Sequence, residues 1–163
     1  MKTLLSLLIA LSFVIPAFAN PEEFPYEKET LDGLHVGDSA KKLVEKHGQP
    51  DKKSEENKWE ADGLYHQEWT YTKAGLVYRV AGEKKGGDKD IYTMEVVEPG
   101  KAATGKGIKI GSAKAEVTKA YGKFINKEES SEHVLVAGTI YGGAMFRLAN
   151  GKVESIFIGA AAE

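Results

Sequence analysis

Side chains able to do chemistry are sparse in this 163-residue chain. Its only arginines, Arg79 and Arg147, sit in matching strings, Val77-Tyr78-Arg79-Val80 and Met145-Phe146-Arg147-Leu148. A guanidinium presents a rigid fork of donors that fits a carboxylate or phosphate. A repeated arginine is therefore either a repeated internal ion pair or an anchor on a binding face, where arginine and aromatics are favoured. Tyr65, Gln67, Trp69 and Tyr71 recur at every second residue, which puts them on one side of a strand. They read either as core or as a surface aromatic patch for a partner. His66 and Glu68 also share a side, as an acid–base or metal pair or as a solvated strand face. Asp88-Lys89-Asp90 offers two carboxylates in a loop rich in Gly and Lys, too few oxygens for a calcium loop.

Other chemistry is excluded on pattern. The run from Gly100 to Gly107 nearly spells a phosphate loop, but Gly107 stands where the metal-binding Ser or Thr is needed. His35, His47, His66 and His133 include no pair two to four residues apart, and no cysteine exists to complete a zinc set. No serine lies in a nucleophile elbow. The chain is read as non-enzymatic, with no cofactor and no metal. With 22 basic and 24 acidic residues, net charge -2, and signs interspersed, it has no electrostatic case for nucleic acid or an anionic membrane.

The start of the chain is an address. Met1-Lys2 precedes an apolar stretch, and Ala17-Phe18-Ala19 matches the small-x-small pattern of signal peptidase, so residues 1–19 read as a signal peptide. The stretch is too short to span a bilayer. Without a cysteine after it, lipid anchoring by that route is excluded. The expected location is periplasmic or secreted. An exported chain without disulfides must be held by its core alone, which is feasible because a domain of about 150 residues buries roughly 70% of its unfolded surface.

The elements that position these residues come in two sets. Leu34-His35-Val36-Gly37-Asp38-Ser39-Ala40 returns as Ile108-Lys109-Ile110-Gly111-Ser112-Ala113-Lys114, and both copies run on to a glycine, Gly48 or Gly122. Internal repetition sets architecture before any single residue does. In each copy a cap (Asp38, Ser112) opens a short helix, an apolar stripe follows at helical spacing, and the glycine ends it. Helices of about ten residues are unstable alone, so both must pack on something broad. Alternating segments rich in Tyr, Val and Ile supply strands at 59–61, 64–72, 76–81, 91–97, 134–141, 144–149 and 153–159, with Asn150-Gly151 as a hairpin turn. The division is a flexible leader at 20–30, a first unit at 31–99, a linker at 100–107 and a second unit at 108–163; the segment 49–58 reads as loop. The fold class is α+β: two tandem repeats of a short helical segment and an antiparallel β-meander, forming one sheet with helices on one face.

A Gly-containing turn, a short helix ending in Gly (Gly37 to Gly48, Gly111 to Gly122) and a meander, used twice, resembles the β-lactamase-inhibitor-protein-like fold, built of tandem SmpA/OmlA-type modules. The resemblance covers about residues 31–159 and supports fold more than function. The expectation that follows is an exported protein-binding module, in its sharpest form an inhibitor of a secreted or envelope enzyme. Its partner would be another exported or envelope protein. Partner-binding candidates are Trp69, Tyr71, Arg79 and Arg147, with Lys85 and Asp88 from the loop inserted at 81–90. Alternatives are a small-ligand carrier with a pocket between helices and sheet, and a structural envelope-assembly module.

Overall fold

The computed structural model of the protein describes residues 23–162. The expected signal peptide lies outside them. Among the described residues the architecture is α+β: an antiparallel sheet of eight strands and two α-helices. Strands β1 (Lys52–Lys53), β2 (Asn57–Lys58), β3 (Tyr65–Tyr71), β4 (Leu76–Gly82), β5 (Asp90–Val96), β6 (Val134–Thr139), β7 (Gly142–Ala149) and β8 (Lys152–Gly159) run in the order β1-β3-β4-β5-β8-β7-β6, with β2 also on β3. Helix α1 spans Ala40–His47 and α2 spans Lys114–Tyr121. Among the described residues, no helix is long and apolar enough to cross a membrane.

Both helices cover the same face. The His47 ring lies 5.3 Å from Tyr71 and 6.2 Å from Tyr78, and the Tyr121 ring lies 4.8 Å from Phe146. Leu43 and Val117 are fully buried against this layer, with Val80, Met94, Ile156 and Ile158 from the strands below. Alternation along each strand sends the intervening side chains to the other face, which carries no helix among the described residues.

Two ladder irregularities occupy matching places. Arg79 pairs with Thr93 and Val80 with Ile91, leaving Tyr92 unmatched. Arg147 pairs with Ser155 and Leu148 with Val153, leaving Glu154 unmatched. Such bulges sharpen local twist and bend the strand. The innermost ladder joins β5 to β8, from Thr93↔Gly159 to Val96↔Ile156.

Local details differ from expectation in six places. Asp38 and Ser112 do not cap. They sit one residue early and close the preceding turn, accepting from His35 N at 2.9 Å and Lys109 N at 3.2 Å. The actual N-caps are Ser39, whose Oγ accepts from Lys41 N, and Ala113, whose N–H donates to Glu116 Oε2 at 2.6 Å. Gly48 ends α1 at φ 77°, but Gly122, at φ -50°, carries α2 onward into a 3₁₀ turn that buries Phe124. Residues 23–30 are not a free leader: Phe24 is buried edge-on between Tyr121 and Phe124, and the Glu29 carboxylate accepts from Gly105 N at 2.9 Å. The segment expected as loop at 49–58 supplies β1 and β2, because the exposed edge of β3 offers backbone groups that must be paired. A turn at 60–62 stands in place of the strand expected at 59–61. The linker at 100–107 is packed as well, with buried Thr104 bridging to Leu31 and accepting from the Tyr121 hydroxyl at 2.8 Å.

Candidate binding trough on the bare face

A hollow of about 910 Å³ lies on the bare face and is lined by residues of β4, β5, β8, β7 and β6. Its walls hold both arginines, Thr93, Glu95 and Ser155, and an apolar group of Val134, Val136, Ile140, Met145 and Phe157. Trp59 closes one end. Its ring stacks on His66 at 3.8 Å and 7°, and Tyr92 meets His66 edge-on at 4.9 Å. The other end is built by the segment after the 3₁₀ turn, where Glu129 Oε2 accepts from Ile140 N and Ser130 Oγ from Val136 N.

The arginines share a face and differ in surroundings. Arg79 lies 3.1 Å from Glu68 Oε2 and 3.6 Å from Glu95 Oε2, and its guanidinium reaches Thr93 Oγ1 at 3.5 Å. It is an internal clamp across three strands. Arg147 is exposed, opposite Ser155, and makes no side-chain hydrogen bond or ion pair among the described residues.

The other candidates lie elsewhere. Trp69 (8% exposed) and Tyr71 (5%) are on the helix-covered face, so a contact made by the bare face does not include them. Trp69 is held by Gln67 Oε1 at 2.7 Å and by Lys53 Nζ over its ring at 4.0 Å; the Tyr71 hydroxyl donates to Gly48 O. Asp88 pairs with Lys41 of α1 at 2.8 Å, and Lys85 is exposed on the same loop. That loop lies beside α1 and is not a free arm. Buried Lys89 meets Glu56 Oε1 at 2.7 Å, and Glu56 Oε2 accepts from Gly86 N at 2.8 Å. The Lys89 ammonium, then the Gly86 N–H, hold the Glu56 carboxyl below its ordinary range.

His66 and Glu68 share the trough side, but they do not act as a pair. His66 Nε2 meets Asp62 Oδ2 at 2.8 Å, while Glu68 serves Arg79. His66 Nδ1 is buried without a hydrogen-bond partner, so no hydroxyl is set against it as a nucleophile. The Asp62 carboxyl is held low, first by the Leu64 N–H. Among the described residues, no group of three or more His, Asp or Glu could hold a metal ion.

The chain matches no family model, no curated protein and no solved structure. Its site is therefore read from geometry alone. Sequence reasoning missed Trp59, Val134, Met145 and Phe157. Met145 is two residues before Arg147, so alternation could have placed it beside the arginine; the cross-strand partners needed the register.

Proposed function

We propose that the protein is an exported, non-enzymatic protein-binding module. It grips another exported or envelope protein with its bare sheet face, in the sharpest case as an inhibitor of a secreted or envelope enzyme. The observation carrying this reading is the trough: one helix-free hollow that presents Arg147 and an aromatic and aliphatic lining to solvent. Interfaces draw their strongest contacts from such aromatic and arginine anchors in concave patches.

The further proposal that two copies of one unit build the sheet, as the resemblance to the β-lactamase-inhibitor-protein-like fold implies, is supported by matched backbone bonds. Gly37 N donates to Ile91 O as Gly111 N does to Val153 O, and Ala40 N to Lys89 O as Lys114 N does to Gly151 O. The isolated bridges Ser39↔Asp90 and Ala113↔Lys152 match in the same way.

The test is photo-crosslinking in envelope extract of the source organism. A benzophenone side chain at Phe157 is expected to give a discrete protein adduct that excess unlabelled protein competes away. The same probe at Lys42, on α1, is expected to give none. Adducts only from Lys42 overturn the reading. A second reading, a carrier of small amphipathic molecules, is favoured by the volume and mixed lining of the same trough, which lies within the size range of ligand pockets. An adduct only with small molecules distinguishes it.

A further inference from the structure

The two arginines start from matched positions, each opposite a hydroxyl residue and just before a bulge. Two carboxylates neutralise Arg79. Glu68 is its cross-strand neighbour, and Glu95 lies two residues beyond Thr93. At Arg147 both carboxylates are replaced. Its cross-strand neighbour on β6 is Val134, and two residues beyond Ser155 stands Phe157. Phe157 is also paired directly with Glu95 across the central ladder, so the polar and apolar halves of the trough meet there.

Of the acids lining the trough, the one on that half is Glu129, and one of its oxygens is committed to Ile140 N–H. Neither it nor Glu154, in the bulge beside Ser155, makes an ion pair with Arg147 among the described residues. Arg147 is thus a guanidinium with unspent donors, set among apolar side chains. A partner that covers them excludes water, which strengthens a charge-assisted hydrogen bond made there. A guanidinium fork fits a carboxylate with two parallel bonds, and the Ser155 hydroxyl lies opposite.

We infer that the β6–β8 half of the trough is a subsite for an acidic side chain of the bound protein, with Arg147 as its anchor and Val134, Met145 and Phe157 receiving an adjacent apolar side chain. The inference rests on the protein-binding reading and names what that partner must present: an Asp or Glu beside an aromatic or aliphatic residue on an exposed segment. Arg79 plays no such part, because its charge is already answered from within.

The test is selection of displayed random 12-residue peptides on the purified protein. Enriched peptides are expected to pair Asp or Glu with a large apolar residue. Changing that acid to its amide, or Arg147→Gln, should each weaken binding at least tenfold, and the two together no more than either alone. Arg147→Glu should instead enrich peptides bearing Lys or Arg. Thermal melts confirm that each variant is folded. Peptides that lose affinity with Phe157→Ala but not with Arg147→Gln overturn the acidic subsite and leave the trough as a protein-binding face. Peptides insensitive to both substitutions, or no enrichment at all, overturn the protein-binding reading and the subsite with it.

Discussion

Glu56→Gln should loosen the loop at residues 83–89, with a cost that follows from its contacts. The Lys89 side chain is 4% exposed, and its ammonium has two acceptors, Glu56 Oε1 at 2.7 Å and Gly87 O at 3.3 Å. Glu56 also holds Gly86 N–H. Removing one partner of a fully buried ion pair costs about 3–5 kcal/mol. Residues 83–88 are exposed, so the loop can swing the ammonium into water. The cost then falls toward that of losing charge-assisted hydrogen bonds, about 2 kcal/mol, or roughly 4–8 °C in Tm for a domain of this size. Adding Lys89→Met should recover part of the loss, since no charge is then left unanswered. The sign of the pH dependence also follows. The folded carboxyl is held below its ordinary 4.5, so the clamp contributes fully above that pH and fades as pH falls through the folded value. Urea unfolding of wild type, both single variants and the double variant is the assay, with amide exchange at Gly86 as the local readout. A cost below about 0.5 kcal/mol, or a double variant that merely sums the singles, would refute the clamp.

Arg79→Ala should lower stability by about 1 kcal/mol, because Glu68 and Glu95 then flank a vacated strand position, whereas Arg147→Ala should change it by less than about 0.5 kcal/mol; equal shifts in thermal melts would contradict the contrast. Trp69→Ala should cost about 3–5 kcal/mol in urea unfolding, as expected of a cavity opened beneath α1. Phe24→Ala should cost about 3 kcal/mol by the same mechanism and increase proteolysis near residue 23, and an unchanged melt would mean that the segment is not part of the core. Burial depresses the His47 pKa despite the opposing charge of Asp32, so the unfolded chain takes up the proton first. Stability should therefore decline as pH falls below about 6.5, and His47→Phe should flatten that slope in melts between neutral and mildly acidic buffer.

Much of the fold was legible because its signals are local. Alternation in Val77-Tyr78-Arg79-Val80 determined which side chains face the helices, and Asn150-Gly151 does sit in the turn from β7 to β8. The matched pair Arg79 and Arg147 could be placed on a bare face from that rule alone. What alternation cannot supply is the identity of the neighbouring strand. That β5 lies beside β8, and that Val134 opposes Arg147 where Glu68 opposes Arg79, are facts of register between distant segments. Composition misled at residues 23–30. Two prolines and four glutamates across residues 20–30 suggest a flexible leader, yet Phe24 fills the gap between Tyr121 and Phe124. At Trp69 and Tyr71, where alternation left core and partner patch both open, burial on the helix-covered face answers for the core.

The last of the described strands lies in the middle. β8 is flanked by β5 and β7, so every strand up to Val96 can zip together while the backbone groups along β5 stay unanswered. During synthesis, that raw margin is open to any extended neighbour until residues 152–159 arrive to close it. The chain must therefore be guarded, or finished quickly, before its two halves can share a single sheet.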